Sequence, residues 1–288
     1  MSRPTDSAPA RRVRDLGARL RVGAPLVGLF VFLALAGPWL APADPQAIDL
    51  ADQYALPSAA HLLGTGDNGI DLASVLLHGA RLAGLVALVV VGVSASVGTL
   101  LGAWAGYAGG AVDHAVSGLA DLLQAFPGIV LNIAILAVVD EPGVSHVILA
   151  LCVPGWVLYA RIARAEAMAL RQREFVEAAL ALGMTRSRVL GRHVLPNLLG
   201  PIVVQATSGV GGVVLAESTL SFLGLGPSEG VSWGALLDQG SGVLLRYPHV
   251  ALVAGGAIAA TVLGFNLAGD GLRDRLDPRS AGRAPRKA

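Results

Sequence analysis

Long apolar stretches separated by short polar segments dominate the hydrophobic pattern of this chain. Six stretches approach the roughly 20 helical residues that span about 30 Å of hydrocarbon. They lie at 23–41, 82–106, 116–139, 144–163, 198–222 and 248–269. The strict alternation over ten-residue segments that is typical of membrane β-barrels is absent. The pattern predicts an all-α, polytopic membrane protein with about six transmembrane helices.

Composition and charge support a bilayer location and give an orientation. Hydrophobic residues make up 54% of the 288 residues and charged residues 14%, more apolar surface than a soluble domain can bury. Six basic residues precede the first span, seven lie between the fourth and fifth, and six follow the last, together 19 of 21. Because basic residues favour the cytoplasmic side, both termini are predicted to be cytoplasmic.

This orientation divides the chain into three parts. We predict a cytoplasmic N-terminal tail at 1–22, a transmembrane domain at 23–279 and a cytoplasmic C-terminal tail at 280–288. Within the transmembrane domain, 42–80 is predicted to be an extracytoplasmic loop and 164–197 a cytoplasmic loop. These two loops are the candidate surfaces for partner proteins.

The cytoplasmic loop contains a short amphipathic pattern in an arginine-rich segment. Apolar residues follow the spacing i, i+3, i+4, i+7 of one helix face, at Phe175, Ala178, Ala179 and Leu182. Glu174 and Glu177 lie beside that face. Because the two alanines keep it thin, the pattern predicts a helix that docks in a partner's groove. An amphipathic connector lying on the membrane surface is the alternative.

A glycine that can end this helix and a proline that can begin the next one follow it, and their spacing resembles that of a known family. Gly183 can adopt the positive φ that ends a helix, and Pro196 suits the first turn of the next one. Glu177-Ala-Ala, three residues, Gly183 and, twelve residues later, Pro196 resemble the cytoplasmic "EAA" loop of bacterial ABC importer permeases.

Further segments resemble the second permease subunit type of the dipeptide, oligopeptide and nickel branch, over roughly residues 22 to 279. They are 61–67, 79–81, 216–226, 232–234, 265–270 and 276–278. The resemblance implies an importer in the bacterial cytoplasmic membrane with a second, similar permease chain, two cytoplasmic ATPase subunits and an extracytoplasmic solute-binding protein. The expected substrate is a di- or oligopeptide, with nickel or another small solute as the alternative. ATPase coupling is implied for Glu174, Glu177, Ala178, Ala179, Leu182, Gly183 and Pro196.

Enzymatic chemistry is not expected of this chain. A phosphate-binding loop needs a lysine in a Gly-Lys-Ser/Thr turn, and the single lysine, Lys287, lies in the tail. ATP hydrolysis is therefore expected on separate subunits. The six histidines lack the spacing of a helical ligand pair. No catalytic residue, metal, cofactor or nucleic-acid partner is expected.

Polar residues within the predicted spans are candidates for either a transport pathway or a structural role. They are Asp121, Gln124, Asn132 and Glu217. A buried carboxylate costs several kcal/mol unless it faces a partner or water, and for Glu217 a structural hydrogen bond is the favoured interpretation. An ion-coupled secondary transporter is the rival class, but its usual mid-span carboxylates and internal repeat are not evident.

The composition of the predicted extracytoplasmic loop suits a docking surface for a binding protein. It carries five aspartates and neither lysine nor arginine. The candidate residues for docking a binding protein are His61, Gly64, Thr65, Asp67 and Asp71. An ordinary solvated loop remains the alternative. Here the chain also departs from the family pattern: Leu62 replaces a usual proline, and Ile70 and Val75 replace usual arginines.

Overall fold

The computed structural model describes residues 8–228 and 230–276. Ten α-helices occur in these ranges: α1 (Ala8–Leu40), α2 (Leu72–Ala108), α3 (Gly110–Gln124), α4 (Gly128–Leu136), α5 (Val144–Arg171), α6 (Glu174–Ala181), α7 (Arg186–Val189), α8 (Leu195–Phe222), α9 (Trp233–Gly242) and α10 (Pro248–Leu276). No β-strand forms within the described ranges, and a single isolated bridge joins Thr65 to Asp71. Five helical segments are long and apolar enough to cross a membrane, or six if α3 and α4 form one span. The predicted all-α membrane fold is confirmed.

Helices α2 and α5 cross closely because α2 presents glycines to α5. A Cβ atom on Gly98 would lie 2.8 Å from Cβ of Tyr159, and one on Gly102 would lie 2.7 Å from Cα of Ala160. Real Cβ atoms do not approach so closely, so larger residues would separate the helices. The four-residue glycine spacing is the small-residue pattern that permits close packing of membrane helices.

The third predicted span, 116–139, is not one straight helix. It is replaced by α3 and α4, which meet at an angle of 81°. Pro127 explains the break, because it has no amide hydrogen for the helix ladder and disfavours helical backbone at the residue before it. Its own ψ of 127° is extended.

Several helices extend beyond their predicted boundaries. Helix α2 begins at Leu72, inside the predicted loop 42–80, because Asp71 caps it by accepting a 2.8 Å hydrogen bond from the amide of Ser74. Helix α5 continues to Arg171, inside the predicted loop 164–197.

The predicted tails are only partly described. Helix α1 begins at Ala8, so much of the predicted tail 1–22 is helical in backbone. Residues 1–7 and the predicted tail 280–288 lie outside the described residues.

Helix α9 lies between α8 and α10, where no span was predicted because it is only ten residues long. Its first residue, Trp233, packs in a T-shaped arrangement against Phe30 of α1, with ring centroids 6.1 Å apart. Phe30 also packs against Phe265 of α10 at 5.5 Å. The indole nitrogen of Trp233 donates a 2.9 Å hydrogen bond to the carbonyl of Leu76 in α2. Trp233 thus holds the start of α9 against α1 and α2.

Candidate coupling and docking surfaces

Helix α6 has one face buried against its own protein and one face exposed. Val176 and Ala179 are buried in an apolar cluster with Val189 and Val194. Its outward residues, all exposed, are Glu174, Phe175, Glu177 and Ala178, followed by Leu182 just beyond the helix. Leu182 is 87% exposed. The segment thus presents apolar and acidic side chains on a helix that its own core holds in place.

The predicted apolar stripe is therefore divided between two faces. Ala179 was grouped with Phe175, Ala178 and Leu182, but it packs inward beside Val176. The sequence Glu-Phe-Val-Glu-Ala-Ala-Leu-Ala-Leu is so rich in apolar residues that helical spacing matches more than one face. Val176 was missed for this reason.

Gly183 ends α6 in the conformation that the sequence predicts. Its φ is +86°, and its amide donates a 2.9 Å hydrogen bond to the carbonyl of Leu180. The amide of Met184 donates to the carbonyl of Ala179 at 3.1 Å, which completes a Schellman motif. A Cβ atom on Gly183 would meet nothing within 4 Å. Glycine is therefore required here by backbone conformation and not by space.

A π-helical turn, Leu190–Val194, joins α7 to α8. Pro196 lies in the first turn of α8, as predicted, and has no amide hydrogen to donate to the carbonyl of Arg192. The side-chain amide of Asn197 donates instead to the neighbouring carbonyl of His193 at 2.6 Å. The His193 ring lies 6.3 Å from the ring of Phe175, so this turn contacts α6. Such turns interrupt regular helix geometry and occur frequently at functional sites.

Two ion pairs join α3 to the C-terminal half of α5. Arg161 donates a 2.7 Å hydrogen bond to Asp121, and Arg164 contacts both carboxylate oxygens of Asp113. A cleft of about 500 Å³ lies between the two helices beside these pairs. Asp121 thus has a partner that the sequence did not indicate, and Gln124 is exposed at the end of α3.

Glu217 is buried in α8, 1% exposed, and is surrounded by hydroxyl donors. Ser221 donates to its carboxylate at 2.8 Å and Ser232 at 2.9 Å. Because Ser232 also caps α9, accepting from the amide of Gly234 at 3.1 Å, Glu217 holds the start of α9 against α8. Asn132 is buried in α4, and its Oδ1 has no hydrogen-bond partner among the described residues. The four polar candidates are not brought into one site.

The loop that is predicted to be extracytoplasmic, residues 42–71 and here named the outer loop, brings its candidate residues together around His61. Nδ1 of His61 lies 3.0 Å from Asp71, and Nε2 lies 3.5 Å from Asp52. Thr65 is fully buried; its hydroxyl accepts from the amide of Ala55 at 2.7 Å and donates to the carbonyl of Asp52.

The other two candidates in this loop also have structural contacts. Gly64 adopts a φ of +81°, and Asp67 accepts a 2.8 Å hydrogen bond from the side chain of Gln53. Most of these predicted docking residues therefore shape the loop, while its exposed surface lies elsewhere.

Comparison with known proteins shows the family to which the chain belongs. Residues 98–282, which run from the middle of α2 past the end of α10, match the family described as the binding-protein-dependent transport system inner membrane component. The chain belongs to this family.

Three relatives show how far the likeness extends. The probable D,D-dipeptide transport system permease protein DdpC of Escherichia coli (strain K12) is 36% identical over 286 residues, 96% of each chain. The dipeptide transport system permease protein DppC of Alkalihalophilus pseudofirmus is 37% identical over 90% of this chain and 85% of its own. The glutathione transport system permease protein GsiD of Shigella dysenteriae serotype 1 is 39% identical over 88% and 84%. This permease is a multi-pass membrane component of a transport system.

Two arginines of this permease, Arg161 and Arg164, were not identified as site residues from the sequence. Their spacing of three residues places both on one face of α5, and Asp113, Ser117 and Asp121 are similarly spaced on one face of α3. The two polar faces were a signal in the sequence that each helix has polar neighbours, but spacing alone does not say that α3 and α5 meet.

The environment of His61 predicts that the permease's outer loop is most stable at acid pH. The hydrogen bond to Asp71, reinforced by Asp52, raises the pKa of His61. The stabilisation is therefore fully present below the unfolded pKa of about 6.5 and is lost as pH rises through the folded pKa. Hydrogen exchange of the 42–71 amides, corrected for intrinsic rates, should show protection falling by up to about tenfold per pH unit in that window.

A histidine in the first turn of α5 provides the control for this pH dependence. His61→Asn should remove it, whereas His146→Gln should leave it intact, because His146 only accepts a hydrogen bond from the amide of Gly143. An unchanged pH profile in His61→Asn would show that another group is responsible.

Proposed function

We propose that this chain is the transmembrane permease subunit of an ATP-driven importer of di- or oligopeptides in the bacterial cytoplasmic membrane. An extracytoplasmic solute-binding protein delivers the substrate. The peptide assignment rests on relatives named for dipeptide, D,D-dipeptide and glutathione transport. The observation that carries the coupling assignment is the exposed, core-anchored face of α6.

In this proposal two cytoplasmic ATPase subunits bind the importer, one of them at α6, and a second permease chain completes the pathway. Phe175, Ala178 and Leu182 enter a groove on the ATPase, with Glu174 and Glu177 beside them. Only two residues separate α6 from α5, so movement of α6 is transmitted to α5. The Arg161–Asp121 and Arg164–Asp113 ion pairs then transmit this movement to α3 and to α4, which together form the broken span.

The proposal places both termini and α6 in the cytoplasm. The distribution of 19 of 21 basic residues supports this orientation. Arg19 of α1 also lies 3.6 Å from Asp270 of α10, so the two terminal helices share one end of the bundle. With Cys152 replaced by alanine, an impermeant thiol reagent on intact cells should label Ser58→Cys and not Ser187→Cys, both exposed positions. The reverse labelling would invert the topology.

The energy source distinguishes this importer from an ion-coupled carrier. We expect dipeptide uptake by the complete transporter in proteoliposomes to require internal ATP and to continue when an uncoupler collapses the proton gradient. The purified chain alone should hydrolyse no ATP. Uptake that persists without ATP and stops with the uncoupler would favour the carrier. Nickel uptake without dipeptide uptake would retain the transporter class and change the substrate.

A further inference from the structure

A small apolar cleft opens between the outer loop and α9. Its volume is about 230 Å³, and its apolar lining residues are Ile48, Ile70, Leu72, Val75, Val231 and Leu236. Ile48 is 67% exposed, so an apolar side chain stands in solvent at this cleft. The polar residues Gln46, Asn68 and Gln239 also line it. We name it the outer cleft.

Two departures from the family pattern meet in this cleft. Ile70 and Val75 stand where the resemblance leads to arginine, and both line the outer cleft. The third departure, Leu62, is outside it. An isoleucine and a valine leave the wall uncharged and apolar, so this chain's cleft suits an apolar side chain.

Four aspartates flank the residues that line the outer cleft. Asp44, Asp49, Asp67 and Asp238 are each adjacent in sequence to a residue that lines it. Asp44 and Asp49 accept hydrogen bonds from the amides of Gln46 and Ala51, which fixes their positions.

Negative charge near the cleft is in excess over positive charge. None of its four aspartates is ion-paired within the part of the chain that the structure describes. In the described residues of 42–71 and 230–247, six residues carry carboxylates and one, Arg246, is an arginine. The surface at this apolar cleft is therefore net negative, and we name its four aspartates the negative rim.

We propose that this surface receives a basic face of the solute-binding protein, with one apolar side chain of that protein inserted in the outer cleft. Carboxylates without cations attract lysine and arginine and increase the association rate, while the desolvated apolar contact slows dissociation. A second copy of this chain would present the same negative rim. Anionic lipid headgroups would also be repelled. The proposal rests on the proposed function for the existence of such a partner.

The test uses the complete transporter in nanodiscs and, as probe, the purified solute-binding protein that restores uptake to it. Asp44→Asn, Asp49→Asn and Asp238→Asn are combined, because asparagine retains the turn-capping hydrogen bonds. We expect the association rate constant at low salt to fall about tenfold and its salt dependence to weaken. Asp140→Asn, in the turn before α5, is the charge control and should have little effect.

The apolar contact is tested separately. Ile48→Gln should increase the dissociation rate constant about tenfold, as expected when a buried apolar contact is lost at an interface. Leu245→Gln is the matched control, because Leu245 is fully exposed on the same side and does not line the cleft. Ile70→Arg should weaken binding through a charge in the cleft wall.

Several outcomes would overturn the proposal. They are an unchanged association rate and salt dependence in the triple variant, equal effects of Ile48→Gln and Leu245→Gln, or adducts to lipid or to another permease chain from a photo-crosslinker at position 48. If no soluble protein restores uptake, the proposed function fails instead.

Discussion

Substrate uptake is expected to be lost when Gly183 is replaced by valine, while membrane insertion and abundance stay nearly unchanged. Gly183 adopts a φ of +86° in the Schellman motif that ends α6. A β-branched residue there costs about 1 to 3 kcal/mol. Because its Cβ would meet no atom within 4 Å, the strain falls on the local backbone. We therefore expect α6 to lose its orientation while the transmembrane bundle keeps its packing.

Matched variants separate the conformational requirement from simple bulk. Gly191→Val is the control, because Gly191 also has open space around it but no positive φ. Gly183→Asn should retain most uptake, since asparagine tolerates the left-handed region better than other residues. The measurements are ATPase pull-down from membranes and peptide uptake. Equal uptake in Gly183→Val and wild type would show that the cap is dispensable.

The exposed face of α6 is tested by charge. Glu177 and Ala178 are both exposed, so Glu177→Arg and Ala178→Arg should fold normally and block ATPase recruitment. Ala179→Arg should instead reduce abundance, because it places a charge in the buried cluster with Val176. Ser187→Ala, at an exposed position, should be mild. Normal recruitment and uptake in both Glu177→Arg and Ala178→Arg would make this segment a passive membrane-surface connector.

Features that depend on local chemistry could be predicted from the sequence. The apolar stretches give the spans, the Gly183 cap follows from glycine's access to positive φ, and Pro196 follows from its fixed φ. The start of α2 at Leu72 was also readable, because Asp71 precedes an apolar run and has the short acceptor side chain of an N-cap. The predicted span 82–106 followed only the most apolar residues and therefore began too late.

Features that depend on which helices meet could not be predicted in the same way. One partner of Glu217, Ser232, caps the start of α9 and is fifteen residues away across a turn. The partners of Arg164 and Arg161 lie 51 and 40 residues away on another helix. Such pairs follow from the packing of α3 against α5, which a single sequence does not encode locally. The division of α6 into inward and outward faces likewise depended on where α7 and α8 pack.

The Arg164–Asp113 pair is expected to transmit movement of α6 to α3 and, through it, to the bent pair of helices α3 and α4, the broken span. The side chains are 35% and 18% exposed, and both guanidinium contacts are charge-assisted. At this exposure the pair adds only about 1 kcal/mol to stability, so its loss should not unfold the protein. Arg164→Asp or Asp113→Arg places like charges in contact and pushes α3 away from α5. Uptake should fall about tenfold or more in either single variant, since close like charges cost on the order of 1 to 4 kcal/mol near a protein surface.

The double inversion Arg164→Asp with Asp113→Arg decides whether the residues act as a pair. It restores opposite charges across the same gap, so uptake should return to within about threefold of wild type if the ion pair carries the coupling. The matched pair Arg161 and Asp121 is more exposed, at 49% and 69%, and its inversion should have a smaller effect. ATPase recruitment should stay normal in all of these variants, because α6 is unchanged. A double inversion as defective as the single variants, with normal recruitment, would mean that Arg164 and Asp113 act on other partners and that force from α6 reaches the broken span by another route.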